Sequence, residues 1–368
     1  MKVGILGAGA IAFGTAAYLN YAGHTARLWS PGGKGTAALA SGAPLQSRGA
    51  VEGAFRPEIA SSPAEAVGGV DVVFLALPAF GHKAVFDAVA PFITPEQTVV
   101  LSSHHSFGAL YLARLLAERG TVAPIVAWGT TLVTAKKRGP SAVEVLTVRA
   151  EIDVAMVPAE SSERGLDVCR SLFGDRFRER DGLLAIALSN VNPQNHMALA
   201  LCNFTRVEYG ERWEQMHYYT PAVGRLIEAL DAERLAIAEA CGVRVRTIFD
   251  HLHLSYHVPV ASVSEMMQRI HEAGLGGVGP TSLDTRYVLE DCPFGLAMTS
   301  QLGRITGVPT PLHDGGVQFF SALYGVDFAR QNDLLTALGM AQMTLDELRE
   351  RATHGYAVAL TPETRRGT

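Results

Sequence analysis

The chain has 368 residues, 48% of them hydrophobic, and a formal net charge of −5. A chain of this length is too long to fold around a single hydrophobic core, so two domains are expected. The net negative charge argues against a basic surface that binds nucleic acid. No apolar run approaches the ~18 residues that are needed to cross a bilayer. We therefore expect a soluble, cytoplasmic protein with no nucleic-acid or membrane partner. The scattered cysteines predict buried, reduced thiols; they are Cys169, Cys202, Cys241 and Cys292.

The N-terminus carries the most informative motif. A short apolar run, Val3–Leu6, meets Gly7-x-Gly9-x-x-Ala12, and an alanine-rich segment continues to Tyr21. This pattern predicts a buried strand, a tight turn and a helix whose first N–H groups face outward, where a pyrophosphate can approach the glycine backbone. A purely structural turn is the alternative interpretation. The predicted cofactor-binding residues here are Gly7, Gly9, Ala10, Ile11 and Ala12.

The end of the second predicted strand bears on the choice of cofactor. An NAD site usually places Asp or Glu there for the ribose 2′-hydroxyl, but Thr25–Trp29 is followed by Ser30, glycines and Lys34. A hydroxyl, glycine backbone and a lysine suit a 2′-phosphate, so the sequence favours NADP(H), with NAD(H) still possible. Arg27 is a second cation that lies on this strand, although a solvated strand residue is its simpler interpretation.

Alternating strands and helices up to about residue 180 predict a parallel sheet with helices on both faces. Two later β-rich runs, Ala142–Val148 and Ile152–Val157, are expected to extend that sheet with antiparallel strands. From about residue 183 the apolar residues recur at helical spacing. The predicted fold class is therefore α/β, an N-terminal Rossmann dinucleotide-binding domain over 1–182 followed by an all-helical domain over 183–368. The charged pair Asp231 and Arg234 is assigned to a solvated helix face.

Ligands of open parallel sheets bind at the carboxyl ends of the strands. Leu77 and Pro78 end the fourth predicted strand beside the expected nicotinamide position, so both are assigned to the cofactor. His105, or its neighbour His104, follows the fifth strand, and Thr130 follows the next. We assign His105 and Thr130 to the substrate.

Two polar clusters stand out in the helical half. His196 closes the run from Ser189, is expected to open a helix, and is the candidate acid/base. Arg286 and Asp291 are expected near a helix C-terminus that ends at Pro293. A carboxylate beside an imidazole stabilises its protonated form, and a guanidinium matches a substrate carboxylate. The structural alternatives are a histidine at a helix start and a surface ion pair within one helix.

His251-x-His253-x-x-x-His257 raises the question of a metal. The spacing fits no strong zinc pattern, and helix packing explains it better. No metal site is predicted.

Taken together, these motifs resemble the opine dehydrogenase family, the octopine/nopaline dehydrogenase type that includes N-(1-carboxyethyl)-L-norvaline dehydrogenase. The resemblance covers essentially the whole chain. It rests on three motifs, namely Gly7-x-Gly9-x-x-Ala12, Asn192-Pro-x-x-His196 and Arg286-Tyr-x-x-Glu-Asp291-x-Pro293.

The resemblance implies a site between a Rossmann and a helical domain, with a dyad formed by His196 and Asp291. It implies that Arg286 binds the carboxylate of a 2-oxo acid and that Asn192 belongs to the substrate site. The implied reaction condenses the α-amine of an L-amino acid with a 2-oxo acid such as pyruvate, through an imine, and the implied assembly is a homodimer.

Two other functions are alternatives to this one. A ketopantoate-like reductase of 2-oxo or 3-hydroxy acids typically uses a lysine as its acid, yet no lysine follows Lys137. An NADP(H)-sensing protein without turnover would not need the set formed by His196, Arg286 and Asp291.

Overall fold

The computed structural model describes residues 1–357. Its N-terminal strand lies inside an eight-stranded, mainly parallel sheet. The strand order is β12-β11-β8-β7-β6-β1-β2-β5. In chain order the strands are β1 (Lys2–Leu6), β2 (Thr25–Trp29), β3 (Leu45–Gly49), β4 (Gly53–Phe55), β5 (Glu58–Ile59), β6 (Val72–Leu75), β7 (Thr98–Leu101), β8 (Ile125–Trp128), β9 (Val133–Gly139), β10 (Ala142–Val148), β11 (Ile152–Val157) and β12 (Phe177–Glu179).

The chain leaves β1 towards β2 on one side and later returns to β6 on the other, so the strand order reverses at β1. Ile5 pairs in register with Leu28 of β2 and with Phe74 of β6. A crevice outside the carboxyl ends of strands at such a reversal is the usual ligand position in an open α/β sheet. The Gly7 turn lies at this end of β1.

Helices of the first unit connect these strands. They are α1 (Ala10–Tyr21), α2 (Ala37–Ala40), α3 (Pro63–Val67), α4 (His82–Val89), α5 (Gly108–Glu118), α6 (Ser162–Phe173) and α7 (Leu183–Leu188), the last of which crosses the unit boundary.

A second sheet, in the order β4-β3-β10-β9, covers α1. A methyl group at Gly14 would lie 2.9 Å from Val133 and 3.3 Å from Ala135, which shows how closely β9 packs on the helix. Helix α1 is therefore buried between two sheets, which explains why its sequence is apolar on all sides. The expectation that β10 extends the main sheet was wrong, because β10 pairs with β3 and β9. The same expectation for β11 is confirmed, since it pairs antiparallel with β8.

The second unit spans residues 187–346 and is built from helices. Those helices are α8 (Asn192–Cys202), α9 (Phe204–Glu208), α10 (Pro221–Ala240), α11 (Ile248–Tyr256), α12 (Val263–Glu272), α13 (Arg286–Leu289), α14 (Ala297–Thr306), α15 (Pro311–Tyr324), α16 (Phe328–Gln331) and α17 (Asp333–Leu338), with α18 (Leu345–His354) beginning at its end.

The domain division differs from the predicted one at both ends. The boundary falls between residues 186 and 187, and residues 347–357 belong to the first unit rather than to the helical one. His354 Nδ1 lies 2.6 Å from Glu160 Oε1, and Tyr356 lines a small cavity with Val157. The end of α18 and the residues after it are thus attached to the first unit by a hydrogen bond and by apolar packing.

Asp231 and Arg234 do not lie on a solvated face, contrary to the prediction, because they are 2% and 1% exposed. Arg234 Nη2 donates to Asp231 Oδ1 over 2.6 Å, and Arg234 also donates to the carbonyl oxygens of Leu188 and Arg246. Asp231 accepts from the backbone N–H of Ile248. Backbone partners on both sides satisfy this buried pair and tie α10 to the segments that flank it.

No disulfide joins any of the four cysteines, and three of them are buried as predicted, but Cys202 is exposed. Within residues 1–357, no helix is both long and apolar enough to cross a membrane.

Candidate active site

The glycine turn after β1 has the geometry of a nucleotide-binding loop. Gly7 has φ +139°, and a methyl group there would lie 2.3 Å from the Ala76 carbonyl oxygen, so only glycine fits. At Gly9, by contrast, a methyl group would meet no atom of residues 1–357 within 4 Å, so the backbone is open to an approaching group. Helix α1 then begins at Ala10 with no side-chain cap and no acidic residue in its first turn. Open backbone and unneutralised N–H groups suit a pyrophosphate.

The other predicted residues of this motif lie around the same turn. Ala10 and Ile11 are half-buried at the start of α1, while Ala12 is fully buried. The Ala12 methyl lies 3.5 Å from where a Gly7 methyl would be, so these small residues keep the helix close to the strand.

The loop after β2 folds back over the glycine turn. A methyl group at Gly35 would lie 2.7 Å from the Ala8 methyl and 3.2 Å from Ser30 Oγ. Ser30 is 7% exposed, and its hydroxyl has no hydrogen-bond partner among residues 1–357, whereas Lys34 is exposed. Arg27 lies elsewhere, because its guanidinium binds Glu58 Oε2 at 2.9 Å and nearby carbonyl oxygens.

The segments that follow β6 and β7 contact each other through histidine side chains. His82 Nε2 lies 3.0 Å from the Leu77 carbonyl oxygen, and the His82 and His105 ring centroids are 6.5 Å apart. His105 is 9% exposed, with Nε2 3.1 Å from Ser103 Oγ. Burial, reinforced by the neighbouring His105, lowers the pKa of both His82 and His104 to about 3. These two rings are therefore neutral at physiological pH.

The loop that carries His105 has an unusual backbone. Three of its non-glycine residues adopt the left-handed region, namely Ser103 at φ 75°, Ser106 at φ 44° and Phe107 at φ 59°. Such conformations cost free energy and cluster at ligand sites. Pro78 follows β6 in the same part of the sheet and is half-buried.

Thr130 and Asn192 belong to different units. Thr130 is half-buried just after β8, in the first unit. Asn192 is half-buried at the start of α8, where its backbone N–H donates to Asn190 Oδ1 over 3.1 Å.

The helical unit brings His196 and Asp291 together. His196 Nδ1 lies 2.7 Å from Asp291 Oδ2, and the two side chains are 12% and 1% exposed. Since a carboxylate can only accept, Nδ1 donates and Nε2 faces away from Asp291. The prediction that His196 opens a helix was wrong. His196 lies within α8, which begins at Asn192. Pro193 at the helix start sets the earlier beginning, because its fixed φ suits the first turn.

Tyr287 stacks on His196, a contact that sequence reasoning missed. The ring centroids are 3.6 Å apart with planes 7° apart, and Tyr287 Oη donates to Gln215 Oε1 over 2.8 Å. Tyr287 follows Arg286 in the predicted motif, so the signal was adjacent to residues already chosen. Burial raises the pKa of Tyr287.

Arg286 lies at the start of a helix, not near a C-terminus as predicted. It is the first residue of α13, its side chain is 56% exposed, and its Nε lies 3.6 Å from Glu290 Oε2. Pro293 does not end the helix either. It lies in a π-helical turn, Cys292–Leu296, that runs directly into α14, and Asn332 Nδ2 donates to its carbonyl oxygen over 2.8 Å.

A second histidine–carboxylate pair, also missed, braces α8. His313 Nδ1 lies 2.6 Å from Glu233 Oε2, and its Nε2 lies 3.0 Å from Gln194 Nε2. His313 is fully buried, and Glu233 also accepts from the backbone N–H of Leu312. Each His313 nitrogen has a protein neighbour, which gives this pair a structural role.

Among residues 1–357, no group of three or more His, Cys, Asp or Glu side chains is arranged to hold a metal ion. In the predicted histidine run, His253 Nδ1 lies 2.8 Å from the Val258 carbonyl oxygen at the end of α11.

A glycine turn at the strand-order reversal in one unit and a histidine held by a buried carboxylate in an all-helical unit are features expected of a nicotinamide nucleotide-dependent dehydrogenase, and the relatives of the chain belong to this class. The helical part, residues 179–324, matches the family model of the NAD/NADP octopine/nopaline dehydrogenase alpha-helical domain, and residues 3–159 match that of ketopantoate reductase PanE/ApbA. The chain is 32% identical to an opine dehydrogenase of Arthrobacter sp. (strain 1C), over 83% of this chain and 87% of that relative. It belongs to the opine dehydrogenase family.

Solved structures share this fold. An octopine dehydrogenase with NADH and L-arginine aligns with TM-score 0.80 at 20% identity, covering 97% of this chain and 99% of that one. A yersinopine dehydrogenase with bound NADP+ aligns with TM-score 0.73 at 18% identity, covering 96% and 99%. The predicted α/β fold class, with a Rossmann domain and a helical domain, is confirmed. So is the predicted activity, an NAD(P)-dependent oxidoreductase acting on CH–NH bonds.

Proposed function

We propose that this chain condenses the α-amine of an L-amino acid with a 2-oxo acid such as pyruvate and reduces the resulting imine, and that it catalyses the reverse oxidation. The observation that carries the proposal is the 2.7 Å hydrogen bond between His196 and Asp291 in the unit of the opine dehydrogenase type. Octopine dehydrogenase, which has the same fold, was solved with L-arginine and with pyruvate.

His196 is the proton carrier of this reaction. The amine attacks the keto carbon and water leaves to form the imine, and each step moves a proton to or from the reacting oxygen or nitrogen. His196 Nε2 faces away from Asp291, so it is the nitrogen that exchanges these protons, while the Asp291 carboxylate holds the ring and balances its positive charge. The reduced nicotinamide, when bound, supplies the hydride to the imine carbon.

Arg286 binds the carboxylate of the 2-oxo acid. Its side chain is more than half exposed, and the contact with Glu290 at 3.6 Å is longer than a good charged hydrogen bond, so the fork remains accessible. Asn192, His105 and Thr130 complete the proposed substrate-binding set, as amide, imidazole and hydroxyl groups that hydrogen-bond polar parts of the two substrates.

NADP(H) is the proposed cofactor. The loop after β2 offers the buried Ser30 hydroxyl, the Lys34 ammonium and the N–H group of Gly32, which adopts φ +69°, and no carboxylate. A 2′-phosphate needs such donors, whereas a free 2′-hydroxyl is usually bound by Asp or Glu. Leu77 and Pro78 line the nicotinamide end of the proposed site.

The cofactor assignment is tested by Lys34→Ala. Loss of one exposed ammonium is expected to raise the Kd of NADPH about fivefold at low salt, in line with a surface ion pair of ~1 kcal/mol, and to leave the Kd of NADH unchanged. A wild-type preference for NADH would contradict the assignment.

A homodimer is also proposed, supported by the family resemblance, and light scattering of the purified protein tests it. The cytoplasmic location is supported by cysteines that form no disulfides, which suits a reducing compartment. Fractionation of cells that express the protein tests that location.

The reaction itself is tested by following NADPH and NADH consumption with pyruvate across the twenty amino acids. Turnover that requires both pyruvate and one amino acid supports the proposal and identifies the amine. Turnover with the oxo acid alone would favour a ketopantoate-like reductase, to which the first domain is similar. Nucleotide binding without turnover for any pair would favour a sensor.

A further inference from the structure

Lys137 lies against the glycine turn, although 128 residues separate it from Gly9 in the chain. Its Nζ donates to the Ala8 carbonyl oxygen over 2.9 Å and lies 4.2 Å from the centroid of the Phe13 ring. The lysine therefore joins the residues at the start of α1 from a different sheet.

The second sheet brings it there. Val133 and Ala135 of β9 pack on Gly14 of α1, and Lys137 is the next residue on the same face, because side chains alternate along a strand. Strand β9 thus runs along α1 towards the N-terminus of the helix and delivers an ammonium to the turn between Gly7 and α1.

The positive charge of Lys137 has no carboxylate partner within the part of the chain that the structure describes. Lys2 and Lys83 pair with Glu58 and Asp87 at 2.9 Å and 2.7 Å, whereas among residues 1–357 no carboxylate pairs with Lys137. Partial burial lowers the pKa of Lys137. A helix N-terminus already has positive potential, so a cation beside it is unfavourable unless an anion binds both.

We propose that Lys137 binds a phosphate group of the dinucleotide at the glycine turn, a role that rests on the nucleotide site proposed above. An ammonium is a strong point-charge partner for phosphate. Ala8 accepts from Lys137 through its carbonyl oxygen, and its methyl group lies beside Gly35 in the loop after β2, which carries no carboxylate. Two phosphates of the nucleotide therefore fit this chemistry, the pyrophosphate at Gly9 and the adenosine 2′-phosphate near Ser30.

The test compares Lys137→Met with the wild type in binding titrations of NADPH, NADH, ADP, 2′,5′-ADP and adenosine. We expect the Kd of NADPH to rise at least tenfold and its dependence on salt to weaken, because one ion contact is lost. A matching rise for NADH and ADP assigns the pyrophosphate. A rise confined to NADPH and 2′,5′-ADP assigns the 2′-phosphate. Lys137→Arg, which keeps the charge, should recover most of the affinity.

Lys136→Met is the matched control, since this exposed lysine is adjacent on β9 and points to the other face. It should leave every Kd unchanged. An unchanged NADPH Kd in Lys137→Met, or an equal loss of adenosine affinity, would overturn the inference and leave Lys137 as a brace between β9 and the turn. A wild type that binds none of these nucleotides would instead overturn the proposed nucleotide site itself.

Discussion

The imidazole of His196 lies flat on the ring of Tyr287, with centroids 3.6 Å apart and planes 7° apart. One edge of the imidazole is held by Asp291 and one face by Tyr287, while Gln215 holds the tyrosine hydroxyl. A ring restrained on an edge and a face keeps its Nε2 in one direction, and that direction decides whether proton transfer is productive.

Tyr287→Leu should therefore lower kcat about tenfold, which corresponds to ~1.4 kcal/mol and to the upper range for an aromatic pair. Tyr287→Phe keeps the plane and loses only the hydroxyl, so its kcat should stay within about threefold of the wild type. Steady-state kinetics over a pH series checks this, because a positioning role should also change the pH profile in the Leu variant. Equal losses in both variants would contradict stacking as the important contact.

His196→Ala and Asp291→Asn should each reduce turnover by at least ~10²-fold, the usual scale for loss of acid/base catalysis. Titration of NADPH should give an unchanged Kd, because both residues belong to the helical unit. The exposed His217 in the same unit provides the control, and His217→Ala should be fully active. Near-normal turnover in His196→Ala would remove this residue from the mechanism.

Arg286→Ala should chiefly raise KM for the 2-oxo acid, by about 10²-fold, since charged hydrogen bonds contribute ~1.5–3 kcal/mol each. Arg286→Lys keeps the charge but loses the bidentate geometry of the guanidinium, so its KM for the 2-oxo acid should lie between those of the wild type and Arg286→Ala. The KM of the amino acid, measured at saturating oxo acid, should change little. Arg330→Ala, at an arginine side chain that is 89% exposed, serves as the control. A loss confined to kcat would argue against carboxylate binding.

Local patterns predicted the elements around the nucleotide turn well. The strand predicted at Thr25–Trp29 is confirmed with its bounds, and the one predicted at Val3–Leu6 is confirmed with one further residue, Lys2, because short apolar runs near glycines are a local signal. The second sheet was missed, since it depends on Gln46 pairing with Ala142 far along the chain, and nothing local to either residue indicates that pairing. Lys137 was missed as a contact of the glycine turn for the same reason.

In the helical unit the sequence predicted which residues form the site, but it did not predict the local structure or the burial around them. The proximity of His196 and Asp291 is confirmed at 2.7 Å. The π-helical turn that carries Pro293 into α14 was not predicted, because its hydrogen bonding depends on helices packed around it. The burial of Asp231 and Arg234 was also missed, since their spacing on a helix looks the same on a solvated face.

The Asp231–Arg234 pair should be sensitive to removal of one partner. Arg234→Met leaves a carboxylate buried without its cation and breaks the bonds to Leu188 and Arg246, so the helical unit should lose ~3–5 kcal/mol of unfolding free energy. Asp231→Leu combined with Arg234→Met should recover part of that loss. Urea unfolding measures both, with Arg225→Met on the exposed face of α10 as the control. A double variant less stable than either single variant would contradict this account.

Acid should destabilise the first unit through His82 and His104. Burial lowers the pKa of both to about 3 from 6.5, so between these values the unfolded chain binds protons that the folded chain does not. Stability is therefore complete above pH 6.5 and falls as the pH decreases, by ~1.4 kcal/mol per pH unit for each histidine. His104→Leu removes one of these groups, whose ring nitrogens have no hydrogen-bond partner among residues 1–357. Urea unfolding at pH 7.5 and pH 5.0 should show the variant losing about 2 kcal/mol less than the wild type over that interval. Equal losses in the two proteins would mean that His104 is protonated in the folded state.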